Sequence, residues 1–290
     1  MTDPLKQSVP GRTRKAQASR GGGANDGAGG RKAATGEDAP TLSGTHPFLA
    51  RLARYAPLPA ADVDGVRNAI ERVLAVPRKR DIVLEGYRCV TLHLVEHGFG
   101  IRYKLLPNGK RQILGLVLAG DIVGLPSAAF NRAIYSVASL TPMSLHAIPL
   151  KAFVGLCQTR PAVAMAMLWL REREQAYVAD HLIDIGRRAP LERVAHFILE
   201  TYARLRAVGR AAGNAFELPV SQEVIGDILG LSAPHVNRMF RRLKEMNLVT
   251  VRDRLVAIEN PGELRFLARY EPRITGRVPR DGHSPCAARR

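Results

Sequence analysis

The chain has 290 residues, with 43 Lys and Arg against 26 Asp and Glu, a formal net charge of +17. With only 6% aromatic residues, that balance points to a polyanionic partner, nucleic acid ahead of an anionic membrane surface. The apolar runs are short and interrupted by charge, which excludes a transmembrane helix, and no apolar stretch follows the first basic residues, which excludes a secretory signal. Cys89, Cys157 and Cys286 lie far apart and form neither a CxxC pair nor a disulfide framework, which fits a reducing cytoplasm.

Residues 1–40 hold 8 of the 26 glycines, seven basic and four acidic residues, and no apolar periodicity. Such a segment buries too little to offset its conformational entropy and reads as a disordered basic tail. Its glycine run has neither a GK[ST] sequence after it nor a strand before it, so it is not a phosphate loop. From His46 to about Val76 the pattern predicts short helices, one capped by Asp62 and running through Val66, Ala69, Ile70 and Val73. Residues 81–148 then change character: Val, Ile, Leu and Tyr in short runs cut by Gly and Pro. Strands are expected at Ile82–Leu84, Val90–Val95, Ile101–Leu106, Arg111–Leu116, Ile134–Leu140 and Ser144–Ile148, with Asn108-Gly109 marking a hairpin. Many short strands at this spacing imply a small antiparallel barrel or sandwich.

A short helix is expected over Pro149–Leu156. Pro161 then opens a long helix to about Ile185, with Ala164, Met167, Leu168, Val178, Leu182 and Ile185 on one face and a polar interruption from Arg171 to Gln175. Gly186-Arg187-Arg188 ends it, a second helix runs from Pro190 to about Val208, and Gly209–Gly213 reads as a loop.

The informative stretch is Leu218 to Leu243. Ser221 suits the N-cap of a helix over Gln222–Leu229, Gly230 suits a tight left-handed turn, and Ser232 with Pro234 opens the next helix. Gly226 lets the helices cross closely, and Ile225, Leu229, Leu231, Val236 and Met239 supply the apolar set between them. This is a helix-turn-helix, whose second helix enters the DNA major groove. On that helix Val236, Met239, Phe240 and Leu243 share one side, while Pro234, Asn237, Arg238 and Arg241 lie opposite as a reading face. Arg can grip guanine and Asn adenine with two hydrogen bonds each. His235 and Arg242 flank that face and suit phosphate. Two short runs after it flank Arg252-Asp253-Arg254, a hairpin with a basic tip: the wing of a winged helix.

The order of barrel, long helix and winged helix-turn-helix resembles the bacterial family of the cyclic-AMP receptor protein and the fumarate-nitrate reduction regulator (Crp/Fnr). The resemblance spans roughly residues 46–270. It is carried most strongly by 218–258, and also by Gly109-Lys-Arg-Gln-Ile-Leu and Ala119-Gly-Asp-Ile-Val-Gly. It implies an α+β fold made of a cyclic-nucleotide-binding-like antiparallel β-barrel (jelly roll), a long dimerisation helix and a C-terminal winged helix-turn-helix. The corresponding boundaries are 1–40 for the tail, 41–160 for the effector domain, 161–186 for the dimerisation helix, 187–271 for the DNA-binding domain and 272–290 for a second basic tail. The function implied is sequence-specific transcription regulation by a homodimer on palindromic double-stranded DNA, with RNA polymerase as a protein partner and no membrane role.

The sequence also departs from the family. An effector pocket would involve Gly124, Leu125, Arg132 and Val178, but Gly124 is followed by Leu125-Pro126 where cyclic-nucleotide binders carry Glu, and Arg132 by Ala133 where they carry Ser. Val178-Ala179 stands near their purine-binding Thr-Ser. A buried phosphate needs charge-assisted partners, so the sequence argues against cyclic AMP. Three cysteines, none before Cys89, argue against an iron–sulfur cluster. A haem would need His93 or His97 and a second ligand that is not evident. Cys89 has a basic neighbour, Arg88, on one side only, and Cys157 has none, so neither reads as an activated thiol. In the recognition helix Pro234 and Asn237 replace the family's Glu and Ser or Gly, while Arg238 matches its base-reading arginine; the usual half-site is therefore not assumed. No GxSxG, HExxH or paired Cys/His pattern is present, so neither catalytic residues nor a metal is expected. The competing readings are a non-specific nucleoid- or RNA-binding protein, and an enzyme with a DNA-binding appendage.

Overall fold

The short apolar runs between residues 72 and 149 form eight strands in two antiparallel sheets. In this computed structural model, residues 46–271 are described; the expected tails 1–40 and 272–290 lie outside them. The chain enters through α1 (Pro47–Leu52) and α2 (Ala60–Asn68). The strands are β1 (Arg72–Val76), β2 (Asp81–Val83), β3 (Thr91–His97), β4 (Gly100–Leu105), β5 (Arg111–Val117), β6 (Ile122–Val123), β7 (Ser136–Ser139) and β8 (Met143–Pro149), with α3 (Leu125–Phe130) between β6 and β7. One sheet has the order β1-β8-β3-β6 and the other β2-β7-β4-β5. Neither closes on itself, so the expected barrel is an open two-sheet sandwich. Val83, Val95, Val117, Val137, Met143 and Leu145 fill the space between the sheets, as inward residues of a sandwich must.

Two expectations for the entry segment fail. The helix predicted through Val73 stops at Asn68, and β1 pairs with β8 from Arg72↔Ala147 to Val76↔Met143. The spacing of Val66, Ala69, Ile70 and Val73 suits a helix, but Glu71 N–H donates to Ala147 O at 2.9 Å and the sheet captures the chain from there. Tertiary pairing overrides local preference. Asp62 does not cap α2, whose N-cap is Pro59; it is buried in the first turn and meets Arg160 at 3.4 Å.

Behind the β1-β8-β3-β6 sheet lie α1, α4 (Leu150–Thr159) and the first half of α5 (Pro161–Gly186). Phe48, Leu52, Leu92, Ile148, Phe153 and Leu170 make this second core. The long helix α5 has two apolar faces. Val163, Ala166, Met167 and Leu170 are buried in this core, whereas Met165, Leu168, Trp169, Val178, Leu182, Ile183 and Ile185 remain exposed. Among the described residues no single helix is long and apolar enough to cross a membrane.

The second lobe begins with α6 (Pro190–Ala207). It continues through β9 (Ala211–Ala212), β10 (Ala215–Glu217), α7 (Gln222–Leu229), α8 (Ala233–Glu245), β11 (Val249–Arg252), β12 (Leu255–Ile258) and α9 (Pro261–Ala268). Its sheet has the order β11-β12-β10-β9, so the expected loop at 209–213 contains a strand and the wing is backed by two further strands. The core of this lobe includes Val194, Phe197, Ile198, Ile225, Val236, Leu243 and Val256, and it runs without a break into Ile101, Ile113, Leu116 and Leu118 of the first lobe.

Candidate nucleic-acid interface and effector cavity

The helix pair α7–α8 is built as its sequence demands. Ser221 Oγ accepts from Val224 N–H at 3.3 Å, closing the start of α7. Gly230 adopts φ +66°, and Leu231 N–H donates to Gly226 O at 3.0 Å. A Cβ on Gly226 would stand 2.4 Å from Leu231 O, so only glycine allows this approach. Ile225, Leu229 and Val236 are buried as expected, Leu231 and Met239 are half-buried, and Val224 and Ile228 join them. Arg193 reaches across from α6 to donate to Leu229 O at 3.2 Å, satisfying a terminal carbonyl of α7.

With Val236 and Leu243 turned into the core, the opposite side of α8 faces outward. Ser232, Pro234, Asn237, Arg238, Arg241 and Arg242 are all exposed, and His235 is half-buried. Ser232 is the N-cap of α8 but makes no side-chain capping bond. Arg241 Nη2 donates to Asn237 Oδ1 at 3.5 Å, a long bond that leaves both side chains at the surface. On the wing, Arg252 pairs with Leu255 across a two-residue turn formed by Asp253 (φ +47°) and Arg254 (φ +69°). Positive φ at both central positions is the hairpin turn that matches strand twist. Arg252 and Arg254 are exposed at its tip. The structure thus gathers nearly all the expected contact residues onto two adjacent elements.

Between the lobes lies a cavity of about 760 Å³. Its walls come from β4 and β5, from α3, from the middle of α5 and from α6 and α7. Of the four residues expected at an effector pocket, Leu125 and Val178 line it. Gly124 instead forms the left-handed N-cap of α3, and Arg132 is exposed; neither lines the cavity. The lone arginine expected near the cassette therefore does not serve this space.

Beside the cavity sits an ionic cluster that sequence reasoning missed. Asp121, 1% exposed, pairs with Arg51 of α1, with Arg102 of β4 at 3.4 Å and with Arg204 of α6 at 2.8 Å. It also accepts from Leu118 N–H at 3.1 Å. Burial alone would raise its carboxyl, but the Arg204, Arg51 and Arg102 guanidiniums and the Leu118 N–H hold it well below the usual carboxylate range. Burial opposes the Arg204 charge, and Asp121 and Glu200 more than restore it. Glu174 of α5 lies 3.7 Å from Arg51 and 4.0 Å from Arg102 and pairs with Arg171. One carboxylate thus ties α1, the sandwich and α6 together, with α5 alongside. A second tie joins β5 to α7, where Arg111 Nη2 donates to Asp227 Oδ2 at 2.8 Å and Gln112 Nε2 to Asp227 O at 3.1 Å. A third holds the α5–α6 joint: Asp184 pairs with Arg188, and His196 Nδ1 lies 3.0 Å from the same carboxylate.

Two family models match this arrangement, a Crp-like helix-turn-helix domain over residues 192–267 and a cyclic nucleotide-binding domain over residues 73–160. The nitrogen fixation regulation protein FixK of Rhizobium meliloti is 30% identical over 189 residues, 65% of this chain and 83% of the relative. The chain belongs to the Crp/Fnr family. Other Crp/Fnr relatives include FixK of Bradyrhizobium diazoefficiens, 32% identical over 57% of this chain and 69% of the relative. The transcriptional activatory protein AadR of Rhodopseudomonas palustris is 29% identical over 77% and 92%. The solved structure of FixK2 from Bradyrhizobium japonicum superposes with a TM-score of 0.62 at 26% identity, covering 69% of this chain and 98% of that one. The chain is therefore a DNA-binding transcription regulator of the Crp/Fnr type, with the effector-type sandwich, long helix and winged helix-turn-helix of that family.

Proposed function

We propose that the protein reads a palindromic DNA site as a homodimer paired through α5, with Asn237 and Arg238 on base edges, Arg241 beside them, and His235, Arg242, Arg252 and Arg254 on phosphate. The observation that carries this reading is the split of α8, whose Val236 and Leu243 are buried while its Asn and Arg side chains stand exposed on the other side. Ser232 and Pro234 set where that face begins. The exposed apolar face of α5, from Met165 and Trp169 to Leu182 and Ile183, supplies the surface that pairing would bury. Two such subunits would set their reading helices about 34 Å apart, one turn of DNA. The protein acts in the cytoplasm, binds RNA polymerase, performs no catalysis, and takes an effector other than cyclic AMP, haem or an iron–sulfur cluster. Against cyclic AMP stand Leu125, Pro126 and Ala133, which bring no charge to a phosphate.

The test is selection of bound sequences from a random DNA pool, followed by competition with random DNA and sedimentation at micromolar concentration. A palindromic consensus, a strong preference over random DNA and a mass near twice 31.7 kDa are expected. Equal binding to all sequences would favour a nucleoid-packing role instead.

A further inference from the structure

The cavity between the lobes has lining chemistry that identifies the class of molecule it takes. Much of its wall is apolar, including Leu114, Leu125, Ile134 and Phe197, together with Val178 and Leu182, which also belong to the exposed face of α5. Arg102, Arg171 and Arg204 also line it, and a cyclic phosphate or carboxylate ligand would need one of them. Each already has a carboxylate partner. Arg102 and Arg204 pair with Asp121 at 3.4 and 2.8 Å, Arg204 also meets Glu200 at 3.5 Å, and Arg171 pairs with Glu174. The lining carboxylates Glu174, Asp184 and Glu200 balance the three arginines in formal charge. Burial lowers the pKa of His181, also on the wall, and so disfavours a cation there. An anion entering this space would face carboxylates and find, beside donors that already have partners, a single unpartnered one, the buried Arg204 Nε, too little to offset its desolvation.

We propose that the cavity binds an uncharged, predominantly apolar small molecule. The proposal rests on reading the cavity as the effector site and names the ligand class for it. A volume of about 760 Å³ suits a molecule of drug size. Such an occupant would touch α3 and α5 on one side and Ile228 and Leu229 of α7 on the other. The latter two residues help hold α8, so occupancy is coupled directly to the placement of the reading helix.

The test uses two dyes of one skeleton, uncharged N-phenyl-1-naphthylamine and its sulfonate, 8-anilinonaphthalene-1-sulfonate, titrated by fluorescence into the full chain. Ala129→Trp and Ile134→Trp narrow the cavity from exposed or partly exposed positions on its wall. Saturable binding of the uncharged dye is expected, with the sulfonate at least about tenfold weaker, a difference of about 1.4 kcal/mol. Either Trp variant should weaken the uncharged dye by a similar factor. Equal or tighter binding of the sulfonate that the Trp variants also abolish would overturn the proposal. So would uncharged-dye binding that neither variant changes, or that grows as the protein is diluted to monomer, since the dye would then sit on the exposed face of α5. DNA preference is measured on the same ligand-free samples. Its loss in the unsubstituted protein would sink the DNA reading, while the dye comparison would still decide the ligand class.

Discussion

Two groups of arginines in this protein do opposite work. Arg51, Arg102 and Arg204 converge on the buried carboxylate of Asp121 and are largely removed from solvent. Arg238, Arg241 and Arg242 on α8, with Arg252 and Arg254 on the wing, stand exposed. The first group has lost its hydration, so each guanidinium must keep a fixed partner, and that requirement locks elements from both lobes into one geometry. The second group keeps its charge available for a polyanion and, but for one long bond from Arg241 to Asn237, presents its donors outward. A net charge of +17 counts both groups alike; burial separates the charges that build the protein from those left exposed to meet a polyanion.

The sharpest way to break the contrast is Asp121→Asn. It leaves three inward guanidiniums without their common anion and should cost about 3–5 kcal/mol of stability, read by urea denaturation followed through Trp169 fluorescence. A loss below about 1 kcal/mol would place those arginines with the surface pairs that contribute little. On the other side of the comparison, Arg238→Ala should leave the urea midpoint unchanged and remove about 1–3 kcal/mol of discrimination per half-site, flattening preference at one symmetric pair of positions. Loss of affinity for every sequence alike would make Arg238 a phosphate contact. Arg242→Ala should weaken all sequences about equally and reduce the salt slope by about one for each phosphate it no longer neutralises, as gel shifts across a salt series would show. An altered base preference would move Arg242 onto the reading face.

A smaller effect concerns buried imidazoles. His46 and His93 are held down to about 4 by burial, reinforced by His146 for the first and by Arg72 for the second. Their folded values lie below the ordinary 6.5, so the stability they contribute is fully present above that pH and is lost as pH falls through about 4. Denaturation midpoints should therefore decline across that window, and His46→Gln should flatten the decline. An unchanged profile would show that His46 is protonated without cost. Mild acid in this range should erode folding while leaving the charge of the exposed arginines unchanged.

What could be read from the sequence follows the range of the interactions. The α7–α8 pair is specified by residues within about two dozen positions: the Ser221 cap, the close approach at Gly226, the turn at Gly230 and the apolar spacing through Leu243. The hairpin at Asn108-Gly109 is equally local, and its strands lie where expected. The Asp121 cluster joins residues 70 and 83 positions apart, which no local period reveals. Its one trace was the polar interruption of α5 at Arg171–Gln175, where Glu174 faces the cluster instead of continuing an apolar seam. Strands β9 and β10 have two and three residues, too few for alternation to register. The misreading of β1 as helix arose because spacings of three and four also occur by chance in a strand whose partner is far along the chain. The family resemblance puts Leu125, Val178 and Arg132 alike at the pocket; the first two line the cavity and Arg132 does not, because sequence position says nothing about which way a loop residue after α3 faces.

The unbroken core shared by the two lobes has a consequence for how the molecule melts. Phe197, Ile198 and Ile225 belong to the same cluster as Ile101, Ile113 and Leu116, so neither lobe can unfold without stripping apolar cover from the other. Heat should remove both in a single calorimetric transition, and a protease cut in the α5–α6 joint should leave the two lobes held together by that core. Reshaping of the sandwich is therefore felt in the DNA-binding lobe through packing itself.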